Sequence, residues 1–149
     1  MTSIENWAFE GCTGLTSINI PDSMTSIGEG AFYGCKSLSS IDIPNSVTDI
    51  WHCAFEYCTK LASVAIPDSV TKIGWHAFYG CESLKTLHST IIMIDDIDIS
   101  YEAFEEFNID NCTLYVPPGT RWAYRHHPVF GKFKNIEIET KKEKSNNTT

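Results

Sequence analysis

Ile66-Pro67-Asp68-Ser69-Val70-Thr71-Lys72-Ile73-Gly74, followed by Ala77-Phe78-Tyr79-Gly80-Cys81 and Leu84, is one turn of a pattern that returns every 23 residues. Ala-Phe stands at Ala8-Phe9, Ala31-Phe32, Ala54-Phe55 and Ala77-Phe78. Three residues beyond each Phe comes Cys12, Cys35, Cys58 or Cys81, and three further comes Leu15, Leu38, Leu61 or Leu84. The columns Ile18, Ile41, Val64, Leu87 and Ile4, Ile27, Ile50, Ile73 keep the same register, as do Ile20, Ile43 and Ile66, each before a proline. A fixed period of this length marks stacked units, none of which buries its apolar face alone.

The frame then loosens. Thr90 replaces the expected proline, and Ala103-Phe104 arrives 26 residues after Ala77-Phe78, so three residues are inserted. Leu114-Tyr115-Val116-Pro117 echoes Ile41-Asp42-Ile43-Pro44. The repeats therefore read 2–24, 25–47, 48–70, 71–93 and a degenerate 94–119, together a solenoid over 2–119.

Each repeat reads as one coil. Leu38-Ser39-Ser40-Ile41-Asp42-Ile43 ends in the alternation of a half-buried strand, and Pro44, lacking an amide hydrogen, stops it. Ser46-Val47-Thr48-Asp49-Ile50 is a second extended run, and His52-Cys53-Ala54-Phe55-Glu56-Tyr57 reads as one to two helical turns. Gly11, Gly34 and Gly80 follow such turns, where glycine adopts a left-handed conformation without steric cost. Tyr57 breaks that column and predicts a local shift in geometry. Stacking the coils places strands in parallel ladders 4.7–4.9 Å apart and turns the Phe, Leu and Ile columns into internal stacks.

The quoted motif resembles the BspA-type leucine-rich repeat of secreted and surface proteins from Bacteroides, related bacteria and some protozoa. The resemblance is close over residues 2–93 and loose over 94–117. Val116-Pro117-Pro118-Gly119-Thr120-Arg121-Trp122-Ala123-Tyr124, through Phe130, Phe133 and Ile136, is similar to the C-terminal closing segment of Bacteroides members. What the resemblance implies is a right-handed α/β solenoid of about five coils plus a C-terminal cap, with parallel β ladders and short helical turns. It implies adhesion or protein recognition at the cell surface or after secretion; it does not imply catalysis and supplies no site residues, and neither enzymatic activity nor a cofactor is expected.

The first repeat aligns from Thr2, so the chain opens in mid-coil with no polar cap. It reads as a fragment of a longer protein, and Met1-Thr2-Ser3-Ile4-Glu5 is no signal peptide. The open coil leaves an edge strand and apolar side chains through which two copies could self-associate. At the other end, Thr120 is placed to N-cap a helix over 121–127 that Pro128 stops, with Phe130, Phe133, Ile136 and Ile138 covering the last coil. That gives a cap over 120–139 and a tail over 140–149, apolar-free from Lys141 and expected to be disordered.

A net charge of −8 and a pI near 5.0 exclude non-specific nucleic-acid binding, which needs a basic surface. The longest near-apolar run, Ile91-Ile92-Met93-Ile94, ends at Asp95-Asp96, far short of a membrane span. Gly-rich phosphate loops, Gly-x-Ser-x-Gly elbows and His-Glu-x-x-His helices do not occur.

Four of the six cysteines form the 23-residue column, running along the stack instead of converging on one point as zinc requires. Neighbours in the column point the same way, which disfavours disulfides, so buried free thiols are expected. Cys53 and Cys58 sit on different faces of the turn, and Cys112 falls in the degenerate repeat, where exposure is expected. His52, His76, His88, His126 and His127 occupy different columns; His126-His127 is expected on a solvated helix. Asp95, Asp96, Asp98, Glu102, Glu105 and Glu106 surround the insertion as a solvated loop, offering oxygen ligands for calcium but no EF-hand pattern. Asn111-Cys112-Thr113 matches a glycosylation acceptor. No metal site is expected.

Surface remains. Residues flanking the central strand position form outward rows: Ser17 and Asn19, Ser40 and Asp42, Ser63 and Ala65, Thr86 and His88. Solenoid faces serve as extended binding surfaces. Trp7, Trp51 and Trp75, near the turn, are candidate aromatic anchors. The partners expected are a host matrix protein, a bacterial surface protein or a glycan. Two other classes stay open: a structural spacer carrying another domain, and a carbohydrate-active enzyme using Asp98 and Glu102 of the acidic insertion.

Overall fold

A computed structural model describes residues 2–140. The chain winds through two five-stranded, all-parallel sheets. One holds β1 (Ser3–Ile4), β2 (Ser26–Ile27), β4 (Asp49–Ile50), β6 (Lys72–Ile73) and β8 (Asp98–Ile99) in that order. The other holds β3 (Ser40–Asp42), β5 (Ser63–Ile66), β7 (Thr86–Ser89), β9 (Thr113–Val116) and β10 (Asn135–Ile138). Register follows the repeat: Ile27 lies beside Ile4 and Ile50, and Ile50 beside Ile73. Ser17 and Asn19 are the exception, because the first coil's second run forms no strand and touches its neighbour through Ser39 N–H to the Thr16 carbonyl at 3.3 Å.

The third side of each coil is a run of tight turns, where helical turns are expected from the sequence. A helix would spend its N–H groups within the coil. Here alternate N–H groups point along the stack: Trp7 to the Glu29 carbonyl at 2.8 Å, Phe9 to Ala31 at 2.8 Å and Gly11 to Tyr33 at 2.7 Å. The next coils repeat this at Gly30, Phe32, Gly34 and at Cys53, Phe55, Tyr57, all between 2.8 and 2.9 Å. The outer two donors of each trio are left-handed. Gly11, Gly34 and Gly80 have φ of 69°, 69° and 73°, and Tyr57 keeps the same geometry at 61°, so the expected local shift does not occur. A second left-handed column, Trp7, Gly30, Cys53 and His76 at 57–60°, has no sequence signature of its own.

Five phenylalanines, Phe9, Phe32, Phe55, Phe78 and Phe104, stack through the interior with centroids 5.2–5.3 Å apart and planes within 3–7°. The cysteine column lies beside them. Cys35, Cys58 and Cys81 donate from Sγ to the carbonyls of Phe9, Phe32 and Phe55 at 3.1, 3.1 and 3.3 Å. Cysteine suits the column because it fills little volume and still offers a second donor to a phenylalanine carbonyl that already accepts the cysteine N–H of its own coil.

The inserted segment makes a short 3-10 turn at Ile94–Asp96, burying Ile91 and Ile94 and exposing Ile92 and Met93. The cap helix α1 (Arg121–Arg125) is shorter than the 121–127 expected. Thr120 does not cap it; its hydroxyl donates to the Pro117 carbonyl at 2.7 Å. Phe130 and Phe133 close the phenylalanine stack against Phe104, at 5.9 and 5.6 Å. The cap does more than cover: β10 pairs in parallel with β9, adding a last strand to the second sheet. The expectation of a disordered tail falls largely on residues 141–149, outside those described.

The fully buried Tyr124 locks the cap to the insertion. Its hydroxyl donates to the Ile91 carbonyl at 2.6 Å and accepts from Ser89 at 2.6 Å, while Ser89 accepts from Ile91 N–H at 3.3 Å. Tyr124→Phe leaves that carbonyl and hydroxyl buried without their partner and should cost about 1–3 kcal/mol, read by urea denaturation. His127 is half-buried, against the expectation of a solvated residue. Its Nδ1 accepts from the N–H groups of Val129 and Phe130 at 3.1 and 3.3 Å, and burial pushes the ring below its ordinary value, with Asp95 opposing. The unfolded chain therefore binds the proton first, so the contribution of His127 to stability is full above about pH 6.5 and is lost as pH falls below that value through the lower folded one. His127→Asn keeps an acceptor and should show a smaller acid loss than the native chain in matched denaturation series.

Candidate functional site

The outward face of the second sheet carries two rows in strict register. One runs Ser40, Ser63, Thr86, Thr113, Asn135; the other runs Asp42, Ala65, His88, Tyr115, Glu137. Ser40 and Asp42 are exposed, and Ser63, Ala65, Thr86 and His88 are half-buried. Nine of these ten positions are small or polar, Tyr115 being the tenth, but the C-terminal end is not bland. The His88 ring stacks on Tyr115 with centroids 4.9 Å apart and planes within 12°, and its Nδ1 meets Glu139 Oε1 at 3.1 Å. With Thr86 and Glu137 these groups line a polar cleft of about 440 Å³. Tyr115 was readable from the echo of Ile41-Asp42-Ile43. Glu137 and Glu139 were not, since they reach this face only because the cap adds a strand.

The tryptophans do not form one row. Trp7 lies over Gly30, where an added Cβ would come within 2.1 Å of the ring. Trp75 stacks on His76 at 3.6 Å and donates from Nε1 to Glu102 Oε2 at 2.7 Å. Trp51 is half-buried, with Lys72 Nζ 4.9 Å from its ring centre. Trp7 and Trp75 are 40% and 45% exposed.

The acidic cluster is dispersed among separate tasks. Glu102 takes the Trp75 indole and lies 3.6 Å from His76 Nε2, Glu105 pairs with Lys132 at 3.5 Å, and Asp95 and Asp96 face solvent in the 3-10 turn. No group of three His, Cys, Asp or Glu among the described residues is placed to hold a metal ion. His126 is exposed and stacks on Trp122 at 4.1 Å.

All six cysteines are free. Cys112, between the 3-10 turn at Ile109–Asn111 and β9, is fully buried, against the exposure expected. Burial pushes the thiols of Cys58 and Cys112 up to about 12, and burial with Glu56 beside it does the same for Cys53. Thiolate is the reactive form. A thiol-disulfide reagent at pH 8 should therefore titrate the half-buried Cys12 in the native chain and the other five only after denaturation.

This architecture defines a leucine-rich-repeat solenoid. The chain belongs to the BspA-type leucine-rich-repeat family, whose repeat model matches residues 1–110 in six copies. It is similar to a leucine-rich-repeat protein of Bacteroides ovatus, with 34% identity, 77% of this chain and 28% of that one covered, and a TM-score of 0.64. A leucine-rich cell surface protein of Faecalibacterium prausnitzii shares 35% identity over 65% of this chain and 32% of that one, with a TM-score of 0.53. The pneumococcal vaccine antigen PcpA shares the fold at 19% identity, covering 92% of this chain and 39% of that one with a TM-score of 0.66. None of the curated proteins matches the chain. The chain spans about a third of the length of these solved relatives.

Proposed function

We propose that this chain is a non-enzymatic recognition and adhesion module of a bacterial surface or secreted protein. Its family is built of protein-interaction repeats, and one relative of 35% identity is a cell surface protein. The observation that carries the reading is the sheet face: two rows held in register by a parallel ladder, ending in the His88–Tyr115 stack beside Glu137 and Glu139. A rigid face presents groups without an ordering cost at binding, and a stacked aromatic is a good anchor. The partner is a host matrix protein, another bacterial surface protein or a glycan.

Biolayer interferometry against fibronectin, fibrinogen, laminin and mucin glycans tests this directly. Saturable binding to one of them should weaken on the order of tenfold or more in Ser40→Arg/Asp42→Arg and in Tyr115→Ala. Flat responses against all four remove the adhesion reading and leave a spacer. Binding unchanged in both variants moves the site off the sheet.

A further inference from the structure

A chain of rings runs along the turn side across four coils. Trp7 meets Tyr33 at 5.8 Å, Tyr33 meets Tyr57 at 5.7 Å and Tyr57 meets Tyr79 at 5.8 Å, each pair edge-to-face. Tyr79 then stacks on His76 at 4.0 Å, and His76 on Trp75 at 3.6 Å. Carboxylates accompany the rings throughout. Glu102 holds the Trp75 indole, Glu56 lies 3.4 Å from His76 Nδ1, and Glu10 and Glu106 act on the nearby phenols. Tyr33 and Tyr79 are both pushed above their ordinary value, first by burial and then by neighbouring carboxylates, Glu56 at Tyr33 and Glu106 at Tyr79.

One coil further on, where Trp75 has His76 stacked on its ring, the chain sets a lysine over the ring in the same column. Tyr101 occupies the column of Trp75, displaced by the 26-residue step, and Glu105 that of Tyr79. Lys132 places Nζ 3.5 Å from the Tyr101 ring centre, 3.5 Å from Glu105 Oε1 and 2.8 Å from the Tyr101 carbonyl it donates to. Among the described residues no lysine or arginine stands in this way over Trp7, Tyr57 or Trp75, or pairs with Glu10, Glu102 or Glu106. Those rings are 40–45% exposed.

We propose that the turn side is a docking strip for a lysine- or arginine-bearing segment of a protein partner, a cationic head of which repeats on Trp75 what Lys132 does on Tyr101. A cation over a ring face gains from the ring quadrupole, and an adjoining carboxylate adds charge pairing. The chain's net charge of −8 favours such a segment over anionic lipid or nucleic acid. Edge-to-face neighbours leave no flat platform across coils of the kind a sugar ring stacks on, which favours point contacts by side-chain heads.

The proposal rests on the recognition reading above but concerns a different surface, and the two fail separately. The probe is a peptide of alternating lysine and glycine, titrated into the full chain at low salt with tryptophan fluorescence and calorimetry as readouts. Binding is expected, weakened on the order of tenfold by Trp75→Ala and by Glu102→Gln. It should be unaffected by Asp42→Asn/Glu139→Gln, and absent for the peptide with acetylated lysines. Circular dichroism checks that each variant is folded, and Glu102→Gln, at an exposed site, keeps the test open if Trp75→Ala is not. No binding at low salt overturns the strip, as does equal binding of the acetylated peptide. So does affinity that follows salt but ignores the Trp75 and Glu102 substitutions, which would show diffuse charge alone. A chain that binds a matrix protein yet ignores this peptide keeps its recognition role and loses the strip.

Discussion

Every coil must hand its backbone hydrogen bonds to the next one, and the rest of the structure follows from that demand. An unpaired buried N–H costs about as much as a lost hydrogen bond, so none of the three sides is free to fold for itself. Two sides meet the demand as parallel ladders. The third meets it through trios of donors such as Trp7, Phe9 and Gly11, whose outer members turn left-handed so that their N–H groups point along the stack. That explains why glycine recurs there and why the segment is not helical. It also explains why Trp7, Cys53, Tyr57, His76 and Glu106 accept a conformation that disfavours side chains. The strain is local, while the ladder is shared.

Because the step between coils is fixed by hydrogen bonding, the side chains inside it must repeat in size. The phenylalanine stack and the cysteine column are two answers to one spacing, ring on ring and thiol to carbonyl. Where the period breaks, between Ser89 and Asp98, the molecule needs a new tie. Tyr124 supplies it, reaching from the cap to Ser89 and the Ile91 carbonyl.

The same rigidity orders the surface. Residues one coil apart are held at a set distance, so rows of weak groups act together without ordering cost. The sheet face and the ring-lined turn side are both products of this spacing, and they differ in chemistry. The first is polar and ends in a histidine–tyrosine stack. The second is aromatic and acidic, and at its C-terminal end the chain's own Lys132 already occupies one ring-and-carboxylate pair.

The sequence by itself determined the period, the core columns, the strand register and the free-thiol character of the cysteine column, because burial at a fixed repeat leaves its mark on residue type. Tertiary structure decided what depends on backbone direction or on contacts between distant segments. The column Trp7, Gly30, Cys53, His76 looks chemically random because its constraint falls on φ and not on the side chain. His127 is turned inward by a cap whose fold no repeat dictates. Ser17 and Asn19 keep the motif yet form no strand, since ladder hydrogen bonds, and not pattern, make one. The cap strand that carries Glu137 and Glu139 beside His88 has no counterpart in the period, so only the folded chain brings those groups together.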